Sequence, residues 1–334
     1  MKHTLYPLLS LACLALLAAC SPSTSSSAAA SLSSASASSS SASTSTSTST
    51  SSSTSETSSN PADVYGDFSI TQTANGTTPI YDAATSTWTI GVSSSKAVYA
   101  LKGYLQGRIV IANPDNLTSF KGVVLDLNGA YIEGDSETEY AINFTLSGKY
   151  LALESASGTT NVISNTAGAV NSENNLRFGG EGKLLLVSST GHGAKADDIL
   201  FYGSSDVTIA AAADGLHGHN FYTNDGESTP SEYTGTLSIH GVQEQALDFC
   251  DGSGTSEDPW SGEIIVDSGA KIVIDTAQNV ARVNTAFTVK GSIVATNILD
   301  TAPIITKNSG SLIVTIADGA IFTVNGTAIT SETL

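Results

Sequence analysis

Residues 194–220 read AKADDILFYGSSDVTIAAAADGLHGHN, and the chain repeats itself across them. Sliding HGAKADDI, which begins at His192, forward by 22 residues lays it on DGLHGHNF, which begins at Asp214. Gly193 then falls on Gly215, Ala196 on Gly218, Asp198 on Asn220 and Ile199 on Phe221. A fixed step of this length describes units that cannot bury an apolar face alone and stack on their neighbours to do so.

The rhythm extends in both directions. Apolar and β-branched runs recur at 108–112 (RIVIA), 122–127 (GVVLDL), 150–153 (YLAL), 183–187 (KLLLV), 206–209 (DVTI) and 236–239 (TLSI), then at 263–266, 271–274, 292–294, 312–316 and 320–324. Each has strand length and β propensity, and each is bounded by Gly, Asn, Asp or Ser. No stretch beyond residue 60 carries a helical stripe over three turns, so the domain is expected to be all-β. Steps of 22 to 24 residues with two or three strands apiece predict a single-stranded parallel β-helix, a solenoid over 61–334. Residues 61–98 are expected to cap its amino end and 305–334 its carboxyl end. The alternative, an antiparallel sandwich or jelly roll, needs two-residue Asn-Gly or Asp-Gly hairpins, which are scarce. Two acidic, turn-rich insertions, 222–233 (YTNDGESTPSEY) and 251–260 (DGSGTSEDPW), break the period and are expected to leave the solenoid from one edge.

The amino-terminal residues are not fold. Residues 1–19 combine Lys2, an apolar run and small residues before Cys20, the pattern of a signal peptide too short to span a membrane. LAAC at 17–20 resembles the lipobox of bacterial lipoproteins, which implies cleavage before Cys20 and acyl chains such as palmitate on that cysteine; an ordinary secretory signal is the alternative. Residues 21–60 are almost wholly Ser, Ala and Thr, with Glu56 as their only charge. Such a segment cannot offset its ordering entropy, and as a coil it reaches roughly 35 Å. The expected product is a surface module anchored to a membrane by lipid alone. Cys250 is the one cysteine beyond Cys20, so no intramolecular disulfide is expected.

Thirteen Lys and Arg stand against 31 Asp and Glu, a net charge of −18. That field repels nucleic acid and anionic membranes, and an anionic ligand would need a cation or a locally basic strip.

Several motifs in order resemble a known family: YALKG at 99–103, GRIVI at 107–111, VLDLNG at 124–129, YAI at 140–142, GTTN at 158–161, HGAKADD at 192–198 and ADGLH at 213–217. They are similar to the carbohydrate-binding domain of clostridial and related bacterial surface proteins, over about residues 98–225. The resemblance implies a right-handed parallel β-helix like that of pectate lyases. It also implies calcium-assisted, non-catalytic binding of acidic polysaccharide such as polygalacturonate.

Superposing the repeats puts Asn171, Lys195, His217, Asp248 and Arg282 at one equivalent position. On stacked coils such a row is spaced about 4.8 Å, so donors and cations can meet an extended polymer repeatedly. A solvated polar face with no ligand is the bland alternative. Tyr222, Tyr233 and Trp260, in or beside the insertions, offer flat faces for sugar rings, or else plug the loops onto the solenoid. Calcium seeks six to eight oxygens. Asp248, Asp251, Glu257 and Asp258 with nearby hydroxyls form one oxygen-rich group, and Asp197, Asp198 and Asp214 a second on adjacent coils; acidic turns bonding their own backbone are the alternative for both. His192, His217, His219 and His240 are in principle zinc ligands, but His217 and His219 would face opposite ways on one strand. A lyase would need Lys195 or Arg282 as its base, and Asp197 near Lys195 works against that role. The favoured function is polysaccharide binding by a monomer, ahead of a pectate-type lyase and of an adhesin or structural spacer.

Overall fold

The period-two burial expected of half-buried strands runs through the molecule. In Ala97–Gln106 the residues Ala97, Tyr99, Leu101, Gly103 and Leu105 point inward, and in Arg108–Ala112 it is Ile109 and Ile111. The computed structural model describes residues 61–113, 115–146, 149–224, 226, 228, 231–250, 255, 261–307 and 312–331, of which a five-residue helix, Pro61–Tyr65, is the one α element. The strands form an 18-stranded and a 10-stranded sheet.

Pairing within both sheets is parallel almost throughout, and it links strands one circuit apart. From Asn175–Gly180 the chain runs through Lys183–Ser188 into His192–Lys195. The next circuit repeats this as Asp198–Phe201, Asp206–Ala211 and Leu216–Gly218, and each strand pairs with its counterpart. The first two strands of each circuit lie in the large sheet and the third in the smaller one. Ala194 pairs with Leu216, Lys195 with His217, Asp198 with Asn220 and Ile199 with Phe221, the register that the 22-residue shift predicts. Among the described residues antiparallel strand pairs occur where Ser69–Ala74 lies on the strand starting at Ala97, where Ile80–Asp82 lies on Thr87–Gly91, and at Val324 with Thr327, with one isolated antiparallel bridge between Asn224 and Glu232; this removes the sandwich alternative there.

Two boundaries differ from expectation. Thr87–Gly91 already pairs in parallel with Arg108–Ala112, so the parallel rows begin at Thr87, inside the stretch expected as a cap. At the other end Ile313–Ile316 and Ile321–Val324 continue the parallel rows, and the chain turns back only at Thr327–Ala328. The insertions also part company. One lies between the first and second strands of a circuit, after Tyr222 and before Thr236; the other joins the third strand, ending at Phe249, to the next circuit at Glu263. They therefore leave from different corners, because adding residues at either turn preserves the register of the strands around it.

The core is a set of in-register stacks. Leu184, Val207, Leu237, Ile272, Ile293 and Phe322 form one column, and Phe178 stacks on Phe201 with centroids 4.8 Å apart. Each such side chain contributes about 1.5–3 kcal/mol by burial. Tyr233 is buried with its hydroxyl donating to the Ser205 carbonyl at 2.8 Å, so it plugs the first insertion onto the core. Cys250 is a free, buried thiol. A bulge between Leu101 and Gly103 brings Gly103 (φ 89°) so close to the Asp67 carbonyl that a Cβ would lie 2.1 Å from it.

Turns are held by buried amides. Asn161, fully buried, accepts from the Gly129 and Ala130 amides at 2.9 Å and donates to the Lys183 carbonyl and the Thr159 hydroxyl at 3.1 Å, tying three circuits together. Asn161→Ala strands these partners, and with about 1–3 kcal/mol per unsatisfied buried group the urea midpoint should fall by the equivalent of about 2–4 kcal/mol. A midpoint unchanged within error would show that the amide is not the tie.

Candidate functional site

Along the smaller sheet one register position carries Val110, Asn143, Asn171, Lys195, His217, Asp248, Arg282 and Ile305 in succession. The structure thus brings all five residues of the proposed row together and adds Asn143, whose Oδ1 accepts from Asn171 Nδ2 at 2.9 Å. The row is not a line of free donors. Asp248, fully buried, is gripped by Arg282 through Nε at 2.7 Å and through Nη2, and its Oδ2 lies 2.9 Å from His217 Nδ1. His217 Nδ1 is also 3.1 Å from Asp214 Oδ2, which His192 Nδ1 approaches to 3.2 Å. The His192 and His217 rings stack with centroids 4.4 Å apart. The Gln245 amide donates to Asp214 Oδ1 at 3.0 Å. Lys195, by contrast, is exposed and makes no ion pair among the described residues.

These contacts set the charges. Burial alone would lower the His217 pKa, but its bonds to Asp214 and Asp248 outweigh that and raise it to about 9. Burial would raise Asp214, and the bonds from His192, His217 and the Gln245 amide instead hold it well below the usual carboxylate range. The bond to Asp248 raises the Arg282 pKa, so this guanidinium keeps its proton and is a poor candidate for a base. Asp248, expected both on the sugar row and in a calcium cage, is consumed by Arg282 and His217.

The second expected calcium group divides. Asp214 sits beside His192 at the start of a strand, whereas Asp197 and Asp198 follow its far end, on the order of 15 Å away at strand rise. The described residues form two compact donor clusters, His192 with Asp214 and His217, and Asp197 with Asp198 and His219. Both contain imidazole nitrogen, and neither is an all-oxygen cage of the size calcium takes. In the second, Asn220 Nδ2 donates to Asp198 at 2.8 Å and His219 Nε2 lies 3.0 Å from the Ser261 hydroxyl. Asp251, Glu257, Asp258 and Trp260 lie outside the described residues, as does Cys20. Tyr222 is not near the row: it lies on Asn220–Tyr222 in the large sheet, where its hydroxyl donates to Glu263 at 2.6 Å, and burial with that bond raises its pKa.

A basic cleft was not anticipated from the sequence. A cavity of about 660 Å³ is lined by Lys96, Lys121, Lys149 and Arg177 with Tyr150, Asn174, Asn175, Gly122, Ser94 and Ser95, and by no acid. Its residues sit at or just ahead of the first strands of four successive circuits, which begin at Ala97, Val123, Tyr150 and Asn175. The Arg177 guanidinium lies 4.2 Å from the centre of the Tyr150 ring. That ring covers Gly122, where a Cβ would come within 2.3 Å of it. The signal was present: KAV at 96–98, KGVV at 121–124 and KYLA at 149–152 each set a lysine directly before an apolar run. Asn171 of the row and Asn174 of the cleft share one turn, so the two surfaces meet there.

A model of the family described as carbohydrate-binding domain-containing protein matches residues 84–333, which extends the likeness well past residue 225 and starts it where parallel pairing starts. No curated protein and no solved structure matches the chain.

The charge network makes stability depend on pH in a defined way. With its folded pKa raised from 6.5 to about 9, His217 stabilises fully below pH 6.5, and that contribution is lost as pH rises through 9. Asp214, with its pKa depressed, contributes above about pH 4 and loses its effect as pH falls. Melting temperature, measured in the presence of chelator, should therefore fall between pH 6.5 and 9, and His217→Gln should flatten that limb. An alkaline limb equally steep in the variant would assign it to other groups.

Proposed function

Since the chain belongs to the family of carbohydrate-binding domain-containing proteins, we propose that it binds an acidic polysaccharide, of the polygalacturonate kind, without catalysis. The observation that carries this reading is the cleft. Four of the thirteen cations of a chain with net charge −18 line one cavity, with no carboxylate among them. Repeated weak contacts at strand spacing suit a polymer whose charges recur along its length. Arg177 is the fork-shaped cation that matches a carboxylate, and the lysines supply point charge. Tyr150, with asparagine and serine around it, supplies an apolar face and hydroxyl partners.

In this reading the parallel rows wind as a right-handed β-helix, the polymer enters at the cleft, and it continues past Asn174 and Asn171 toward Lys195. Calcium joins at carboxylates on the rim, Asp197 and Asp198 among them, where a divalent ion can bridge protein and uronate; the loop with Asp251, Glu257 and Asp258 is the other candidate, and Trp260 a stacking face beside it. The module works as a monomer at the cell surface, held by lipid on Cys20 through the Ser/Ala/Thr tether. Among the described residues no helix is long and apolar enough to cross a membrane.

Retardation in an affinity gel containing polygalacturonate tests the proposal. The full chain should be retarded, less so as ionic strength rises and less in chelator than in calcium. With about 0.2–1 kcal/mol for each exposed charge contact, the Lys121→Ala/Lys149→Ala double variant should bind about two- to thirtyfold more weakly. Arg177→Ala should do at least the same, while Lys195→Ala should cost less. Equal retardation by a neutral polymer, or full retardation of the double variant, would reject the acidic ligand or its placement respectively.

A further inference from the structure

We infer that His192, Asp214 and His217 form a binding site for a zinc-like transition metal ion, clipping two neighbouring circuits of the chain. The three donor atoms, His192 Nδ1, Asp214 Oδ2 and His217 Nδ1, lie within 4.8 Å of one another. The carboxylate oxygen is 3.2 Å from one nitrogen and 3.1 Å from the other. A tetrahedral ion with arms of about 2.0–2.1 Å to nitrogen and oxygen separates its ligands by about 3.3 Å, so the cluster is close to the required size. Two nitrogens and one carboxylate are a donor set for zinc, not for calcium, which takes oxygens at longer range and in greater number.

The surroundings are those of a site held in place. Asp214 is 1% exposed, and the Gln245 amide fixes its other oxygen, Oδ1, at 3.0 Å, orienting Oδ2 toward the imidazoles. Asp248, held from its other side by Arg282, also reaches His217 Nδ1 with Oδ2 at 2.9 Å, so a metal ion at this atom takes the place of the proton that His217 shares with the two carboxylates. The two histidine side chains are 23% and 29% exposed, which leaves one side of the cluster open for the ion to enter and for water to complete the tetrahedron. The backbone brings the ligands together through glycines. Gly193 and Gly215 follow His192 and Asp214, and a Cβ on Gly193 would lie 2.3 Å from the Ile209 side chain and 2.7 Å from the Gly215 carbonyl. The site adjoins Lys195 on the row but shares no residue with the basic cleft, so it stands or falls separately from the polysaccharide reading.

The test uses the full chain stripped of metal by chelator and dialysed. Calorimetric titration with Zn²⁺ should give one equivalent taken up at this site, and Co²⁺ should give the intense visible absorption of four-coordinate cobalt. Zn²⁺ should also raise the melting temperature, because it binds the folded state alone. His192→Ala, the variant least apt to disturb folding, and His217→Ala should each weaken uptake at least tenfold while retaining the far-ultraviolet circular dichroism of the parent. His240→Ala should leave uptake unchanged. Absence of Zn²⁺ uptake, a weak six-coordinate cobalt spectrum, or uptake that survives in His192→Ala but is lost in His219→Ala would overturn the assignment; the last would move the ion to Asp197 and Asp198.

Discussion

Parallel pairing in register between one circuit and the next is the constraint on which everything else rests. It fixes every side chain about 4.8 Å from its equivalents above and below, so a residue's closest tertiary neighbours are those one period away in the chain. Inside, this favours like on like, and the columns of Leu, Ile, Val and Phe answer it. Outside, it makes like charges at one position costly. The row on the smaller sheet meets that cost in part: the imidazolium of His217, which has Lys195 on one side, stands on the other beside the carboxylate of Asp248, which stands beside the guanidinium of Arg282. On the large sheet Asp126 and Glu154 are like charges in register, and there burial and the neighbouring carboxylate raise the Asp126 pKa while Tyr202 donates to Glu154 at 2.8 Å.

The lysines of the cleft follow neither solution. Lys121 and Lys149 stand two residues ahead of the paired Val123 and Leu151, hence on adjacent circuits, and Lys96 and Arg177 extend the same sign to the flanking circuits. No acid lines the cavity, although acids outnumber bases more than two to one in the chain. The row on the smaller sheet differs, since Arg282 and His217 there stand against the carboxylate of Asp248. That contrast, more than the number of cations, is why the cleft and not the histidine row carries the proposed ligand.

The same constraint explains what the sequence made legible. A 22-residue shift fixes register outright, so the pairing of Lys195 with His217, and the whole succession from Asn171 to Arg282, could be read from spacing once the insertions were set aside. What could not be read was which neighbours would satisfy each other. Asp248 reads as an acid available for calcium, and only the geometry shows both its oxygens engaged. Asp214 and the pair Asp197 and Asp198 lie on adjacent coils but in different donor clusters, because spacing between coils does not give position along the strand. Tyr222 looked like a loop residue because the insertion begins beside it, yet strand pairing claims it. The cleft escaped notice for the opposite reason: its lysines precede the earlier, longer circuits, where the Lys121 to Lys149 interval exceeds the 22-residue step from which the repeat was recognised.

Insertions act on the register without breaking it, and this bears on how such a surface can change. The steps from His217 to Asp248 and from Asp248 to Arg282 are longer than those from Asn171 to Lys195 and from Lys195 to His217, yet pairing resumes on either side. Loop closure costs grow only slowly with length, so a turn can accept a dozen residues while the rows remain aligned. The rows therefore supply a fixed lattice of side-chain positions, and the turns between them are where ligand contacts can be added at low cost to folding. Asn174, at the corner between the row and the cleft, donates to the Leu146 carbonyl at 3.2 Å and so ties one such turn to its neighbour. On the proposed path a polymer crossing from Lys149 to Lys195 passes over that corner, so the tie from Asn174 to Leu146, as much as the charges on either side, bears on how an extended chain would lie there.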